Sequence, residues 1–360
     1  MKLRNLFNKY SSTLIGVLCF TVVWATKKIS LEFQESDLLI DFVRAWFYGI
    51  LLATIFFSPT IKSQATKIYE GKKIIFSYFE VILFILTLVI LLPLEKSYLI
   101  LLYSILYVLK NVVVELSIIQ EKKNETIFYE LFFVLIFLLI TISVVKSQEY
   151  LALMVMVLGI LLFSIFALSK FKLFKASIDP SPNSIIFIVI AAHVPFVNVL
   201  AGFLLSSPNY LIFTDFYLNV SFAIAGMSFV TNRLLFSREF SSDLVTKNLN
   251  LQSKYGKGFI LFVILSSLFL YFINNPISLL LIYFLIRIIF TISNTSIWTN
   301  KNIEYFKSIL ILPCVALWIS IFLTLIYLGD NSLAPFYSVL TAQIITLLLL
   351  IALNKKSFIN

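Results

Sequence analysis

Residues 38–58 read LLIDFVRAWFYGILLATIFFS, an apolar run whose only charges are Asp41 and Arg44. At about 1.5 Å of rise per residue such a run crosses a hydrocarbon core of roughly 30 Å as one helix. A helix on the surface of a soluble domain keeps a polar face, whereas this stretch is apolar almost all round, so lipid or protein must surround it. Blocks of the same kind recur along the 360 residues, which are 60% apolar and 13% charged, with a mean hydropathy of +1.00. A water-soluble domain averages about 25% charge. The composition therefore excludes a cytosolic enzyme, a secreted module and a disordered chain, and predicts a polytopic helical membrane protein.

Working outward from that stretch, twelve spans are expected: 11–26, 38–58, 74–94, 97–120, 127–145, 150–169, 184–206, 210–232, 259–273, 276–297, 308–328 and 333–353. The opening residues resemble a signal peptide, but the apolar run continues to Thr26 without a small-residue cleavage site, so it is read as a retained first span. Of the 28 Lys and Arg, 21 fall in the terminal segments and even-numbered loops, four (Lys27, Lys28, Lys96, Lys146) fall in the alternate loops, and Arg44, Lys110 and Arg287 fall within spans. Basic loops stay cytoplasmic, so both termini are expected there. The net charge of +10 is then a consequence of topology and of anionic head groups, and it implies no nucleic acid. Cys19 and Cys314 are far apart inside apolar blocks and read as unpaired thiols; no metal or cofactor spacing exists.

The two halves echo one another. Asp41-Phe42 matches Asp215-Phe216, Lys110 matches Arg287, Lys123-Asn124 matches Lys301-Asn302, and Ala167-Leu168 matches Ala352-Leu353, at offsets of 174 to 185 residues. Six helices per half keep the same orientation, so the expected fold is all-α: twelve transmembrane helices in two six-helix lobes, 1–176 and 177–360, related by a parallel pseudo-two-fold repeat. The linker Lys170 to Asn183, with Asp179-Pro180-Ser181-Pro182, divides them.

Two such lobes, with basic amphipathic segments after the second helix (Ile61 to Lys73) and the eighth (Arg233 to Lys257), resemble the polysaccharide and O-antigen flippases of the multidrug and oligosaccharidyl-lipid exporter superfamily. Asn198 to Arg238 looks like that family's seventh and eighth helices, and Gly329 to Thr341 like the turn into its last. The resemblance implies transfer of a polyprenyl-pyrophosphate-linked oligosaccharide from the inner to the outer leaflet of the bacterial inner membrane. It further implies alternating access, exchange with H+ or Na+, no catalysis, and a polysaccharide polymerase as a candidate partner.

An ionisable residue within a span costs about 2.5 to 3.5 kcal/mol on insertion scales and asks for a partner, a wet cavity or a ligand. Asp41 and Arg44, three residues apart, share a helix face; they are either a local ion pair or a coupling acid beside a guanidinium that grips phosphate. Asp215 and Asn219, four apart, continue into Ala223 and Gly226 as a polar, small stripe, which either packs helices or lines a cavity. Lys110 and Arg287 sit deepest and either pair with acids of neighbouring helices, with Glu115 or Glu80 as candidates, or draw an anionic head group inward. His193 is either a packing residue or a proton relay, and Asn198 follows beyond Pro195. The expected substrate-binding set is Arg44, Lys110, Asn198, Asn219 and Arg287, and the ion-coupling set Asp41, Asp215 and His193. A membrane glycosyltransferase or polysaccharide polymerase is the main rival, with Glu32, Glu35 and Asp37 in the first outer loop, but no outer loop exceeds about a dozen residues. A drug or ion exporter on the same fold is the other.

Overall fold

The computed structural model describes residues 2–32, 37–57, 60–61, 68, 74–95, 98–120, 122–170, 174–177, 192–218 and 303–354. Within them the helices are α1 (Lys2–Glu32), α2 (Asp37–Ile55), α3 (Tyr78–Glu95), α4 (Tyr98–Ile119), α5 (Lys123–Val145), α6 (Glu149–Ser169), α7 (His193–Leu204), α8 (residues 207–218), α9 (Ile303–Leu328) and α10 (Ala334–Asn354). Five of the described helices, α1 from Leu14, α2, α4, α5 and α6, are long and apolar enough to cross a membrane. The expected spans 259–273 and 276–297, and much of 184–206 and 210–232, lie outside the described residues, as does most of the linker between the expected lobes.

Among the described residues the architecture is helical apart from two four-residue strands, β1 (Ile74–Ser77) and β2 (Phe174–Ser177), paired in parallel with Ile74 opposite Phe174 and Ser77 opposite Ser177. The third span was expected to begin at Ile74. Its first four residues instead extend, because Ile-Ile-Phe suits a strand and the segment after α6 offers a ladder. The first span also differs: α1 does not stop at Thr26 but runs on through Lys27 and Lys28 to Glu32, a stretch holding neither Gly nor Pro to break it.

By contacts the chain divides into two compact units; the described part of the first runs from α1 to residue 218, and that of the second is α9 and α10. In the first, α2 is the most enclosed helix and packs on α4 and α7, α4 packs on α6, and α5 packs on α1 and α6. Phe42 sits at its centre, edge-on to Trp46 and Tyr103 and stacked on Phe137 at 5.8 Å. Gly159 lets α6 approach closely, since a Cβ there would lie 2.9 Å from Leu106 Cδ1 and 3.1 Å from Ile136 Cδ1. Beyond α2, Phe57 takes a left-handed conformation (φ 65°), and its N–H donates to Glu80 at the start of α3. Glu80 also accepts from the Thr60 hydroxyl at 2.7 Å, so its carboxylate ends α2 and aligns α3.

The α5 start and the α6 end are joined by Lys170, which is 5% exposed and donates to Glu125 and to Gln120 Oε1. Burial pushes the Lys170 ammonium below its ordinary lysine value against the pull of Glu125, whereas the hydrogen bond to Glu125 raises the exposed Lys122. In the second unit α9 and α10 form an antiparallel hairpin. Gly329, at φ 56°, ends α9 with its N–H on the Leu325 carbonyl, and Asn331 Oδ1 accepts from Leu333 N–H at the head of α10.

Candidate functional site

Lys27 and Lys28 are adjacent on α1 and, being about 100° apart around the helix, point to different neighbours. Lys27 is half-buried, its Nζ 4.8 Å from the Trp46 ring of α2 and 5.8 Å from the Phe137 ring of α5. Lys110, also half-buried, lies on α4 with its Nζ 5.0 Å from Phe133 and 5.5 Å from Tyr107, and 3.3 Å from Asn111 Oδ1. The rings beneath the two ammonium groups are continuous: Phe133 packs on Phe137 at 6.2 Å, Phe137 on Tyr103 at 6.3 Å, and Tyr103 stacks on Tyr107 at 6.0 Å. Cations over ring faces are attracted by the ring quadrupole, which partly replaces the water each has lost. Both lysines bear on this one cluster of rings, so an anion seated among them would find positive charge from two helices. Trp46 and Tyr103 are buried in the same cluster, and neither the Trp46 Nε1 nor the Tyr103 hydroxyl has a hydrogen-bond partner among the described residues.

Beside this seam α1 and α2 are tied to α7 and α8. Arg44 Nη2 donates to the Gly202 carbonyl of α7 at 3.0 Å, while Nη1 stands 3.8 Å from Asp41 Oδ1. Lys28 forms an ion pair with Asp215 of α8, and one turn earlier on α1 the Trp24 indole N–H donates to the Leu218 carbonyl at 2.7 Å. No protein family, curated protein or solved structure matches this chain. What the site can do is therefore set by its side chains: two half-buried cations over a buried aromatic cluster that also holds an indole and a phenol donor, a set whose charge suits a phosphate-bearing ligand.

Of the residues expected from the sequence, Asp41 and Arg44 lie where α2 meets α7, Asp215 lies where α8 meets α1, and Lys110 lies over Phe133 and Tyr107. His193, buried, opens α7, where Pro195 is tolerated within the first turn. Asn198 is buried one turn further, with its Nδ2 lacking a partner among the described residues. Asn219 and Arg287 lie outside the described residues. Glu80, considered as a partner for Lys110, spends its carboxylate on Phe57 and Thr60. Sequence reasoning missed Lys27 and Lys28 by assigning them to a loop. The signal available was the helix-compatible run Ile29-Ser30-Leu31 that follows them.

Proposed function

We propose that this protein is a flippase that carries a polyprenyl-pyrophosphate-linked oligosaccharide from the inner to the outer leaflet of a bacterial cytoplasmic membrane. It acts as a carrier, not a catalyst, by alternating access of two six-helix lobes, 1–176 and 177–360, with both termini cytoplasmic and H+ or Na+ as the coupling ion. The observation that carries the reading is the pair Lys27 and Lys110 within the helical bundle, each resting on aromatic faces. Positive charge inside a membrane protein is costly and calls for a counter-charge or an anionic cargo. A pyrophosphate head group brings at least two negative charges, and an electrostatic attraction counts for more in the low dielectric of the bundle than at the surface. The aromatic seam, with Trp46, Tyr103, Phe133 and Phe137 buried, holds the two ammonium groups within the bundle rather than at its surface. Asp41 and Asp215, each already beside a basic residue, are the acids on which a coupling ion would act.

The test is transfer in proteoliposomes loaded with a polyprenyl-pyrophosphate oligosaccharide, followed by the protection of the glycan from an added glycosidase. Lys27→Met and Lys110→Met are expected each to cut the transfer rate at least tenfold, and the pair to abolish it, while both variants insert and elute as the wild type does. Undiminished transfer in the double variant overturns the reading.

A further inference from the structure

We infer that the Lys28–Asp215 ion pair is a latch across the seam between α1 and α8, released when a phosphate-type anion seats beside Lys27. The identity of the anion rests on the lipid-export reading above; the latch does not. Three observations lead to it. Lys28 and Asp215 join two helices 187 residues apart in sequence, and the Trp24 indole closes the same seam one turn away on the Leu218 carbonyl. The tie is polar and only partly covered by protein, the Lys28 side chain being 25% and the Asp215 side chain 49% exposed, so the pair can part without either group being drawn out of a packed interior. Lys27, next in the chain, faces the aromatic seam instead, so one rigid helix carries both the cation that meets the ligand and the cation that holds the latch.

The release follows from charge competition. A dianion beside Lys27 is a stronger partner for the neighbouring Lys28 than a single half-exposed carboxylate, and it repels Asp215. Lys28 then exchanges Asp215 for the ligand, and the α1–α8 seam loses its ion pair, which loosens the Trp24 hydrogen bond one turn away.

Trp24 is a built-in reporter of the seam. In a protein carrying Trp46→Phe, Trp298→Phe and Trp318→Phe, which keeps a ring under Lys27, Trp24 is the sole tryptophan. Acrylamide quenching is measured in lipid nanodiscs, with and without farnesyl pyrophosphate, whose binding is followed separately with labelled compound in the protein that keeps Trp46 and in the reporter protein alike. Lys28→Gln and Asp215→Asn are expected to raise the quenching constant several-fold without ligand. The exchanged pair Lys28→Asp with Asp215→Lys should return it to the starting value, which separates a latch from a folding defect. Farnesyl pyrophosphate should raise quenching in the protein with the latch intact and add nothing in Asp215→Asn. Quenching unchanged by both single substitutions overturns the latch. Opening by substitution but none by bound farnesyl pyrophosphate overturns the release. Absence of farnesyl pyrophosphate binding overturns the lipid-export reading and the release with it, while the substitutions still decide the latch.

Discussion

Arg44 is held from two sides, by the Gly202 carbonyl at 3.0 Å and by Asp41 at 3.8 Å, and both it and Asp41 keep about a third of their surface exposed. The guanidinium therefore ties α2 to α7. Replacing it with Lys keeps the charge but not the fork that reaches a carbonyl and a carboxylate together. Arg44→Ala is expected to lower unfolding stability by about 1 kcal/mol, the scale of one lost, partly solvated hydrogen bond, and to abolish export, with Arg44→Lys recovering part. Differential scanning fluorimetry and the proteoliposome assay separate the two effects. The double change Asp41→Asn with Arg44→Gln is expected to remain inactive; full export in that variant would reduce Arg44 to a neutraliser of Asp41 and leave Lys27 and Lys110 as the cations that meet the cargo.

Helix packing in lipid depends on close approach, because lipid tails are as apolar as the side chains and supply no hydrophobic drive. The α6 contact shows this: Gly159 faces Leu106 of α4 and Ile136 of α5 at distances that leave no room for a Cβ. Gly159→Val is expected to destabilise the protein by about 1 to 3 kcal/mol, as overpacking does, and Gly159→Ala by less, since the nearest atoms are the flexible ends of Leu and Ile side chains. Thermal unfolding in one detergent, with the three proteins side by side, reads the order; equal melting of all three would show that α6 is not pinned there. The same helix is otherwise lined with exposed Leu, Ile and Met, including Met154, Leu158, Leu161 and Ile165, as a surface facing lipid tails should be.

Across the whole molecule the sorting of charge makes a topological prediction. The Lys122–Glu125–Lys170 network gathers the basic ends of α5 and α6 at one end of the first unit, the end expected in the cytoplasm. In a background with Cys19 and Cys314 replaced, a membrane-impermeant maleimide applied to whole cells is expected to label cysteines placed at Ser207 and Asn331. It should spare cysteines placed at Lys67 and Lys247. The opposite pattern would invert the protein in the membrane and place its loading side outside.

Membrane character was legible from Leu38 to Ser58 alone, because a helix with no polar face has only lipid or protein to pack against. The limits of α4, α5 and α6 came within a few residues for the same reason, the hydrocarbon thickness dictating their length. The identity of the ionisable residues was equally open to view, since each charge stands out in an apolar run. What each one meets was not. Lys28 finds Asp215 from 187 residues away, Glu80 turns to the backbone of Phe57, and Lys27 settles on Trp46 and Phe137. Those choices depend on which helices become neighbours and on how each is rotated about its axis. In a chain apolar on nearly every face, periodicity marks no inward side, so rotation is decided only when tertiary packing lets small residues approach and buried polar groups find one another.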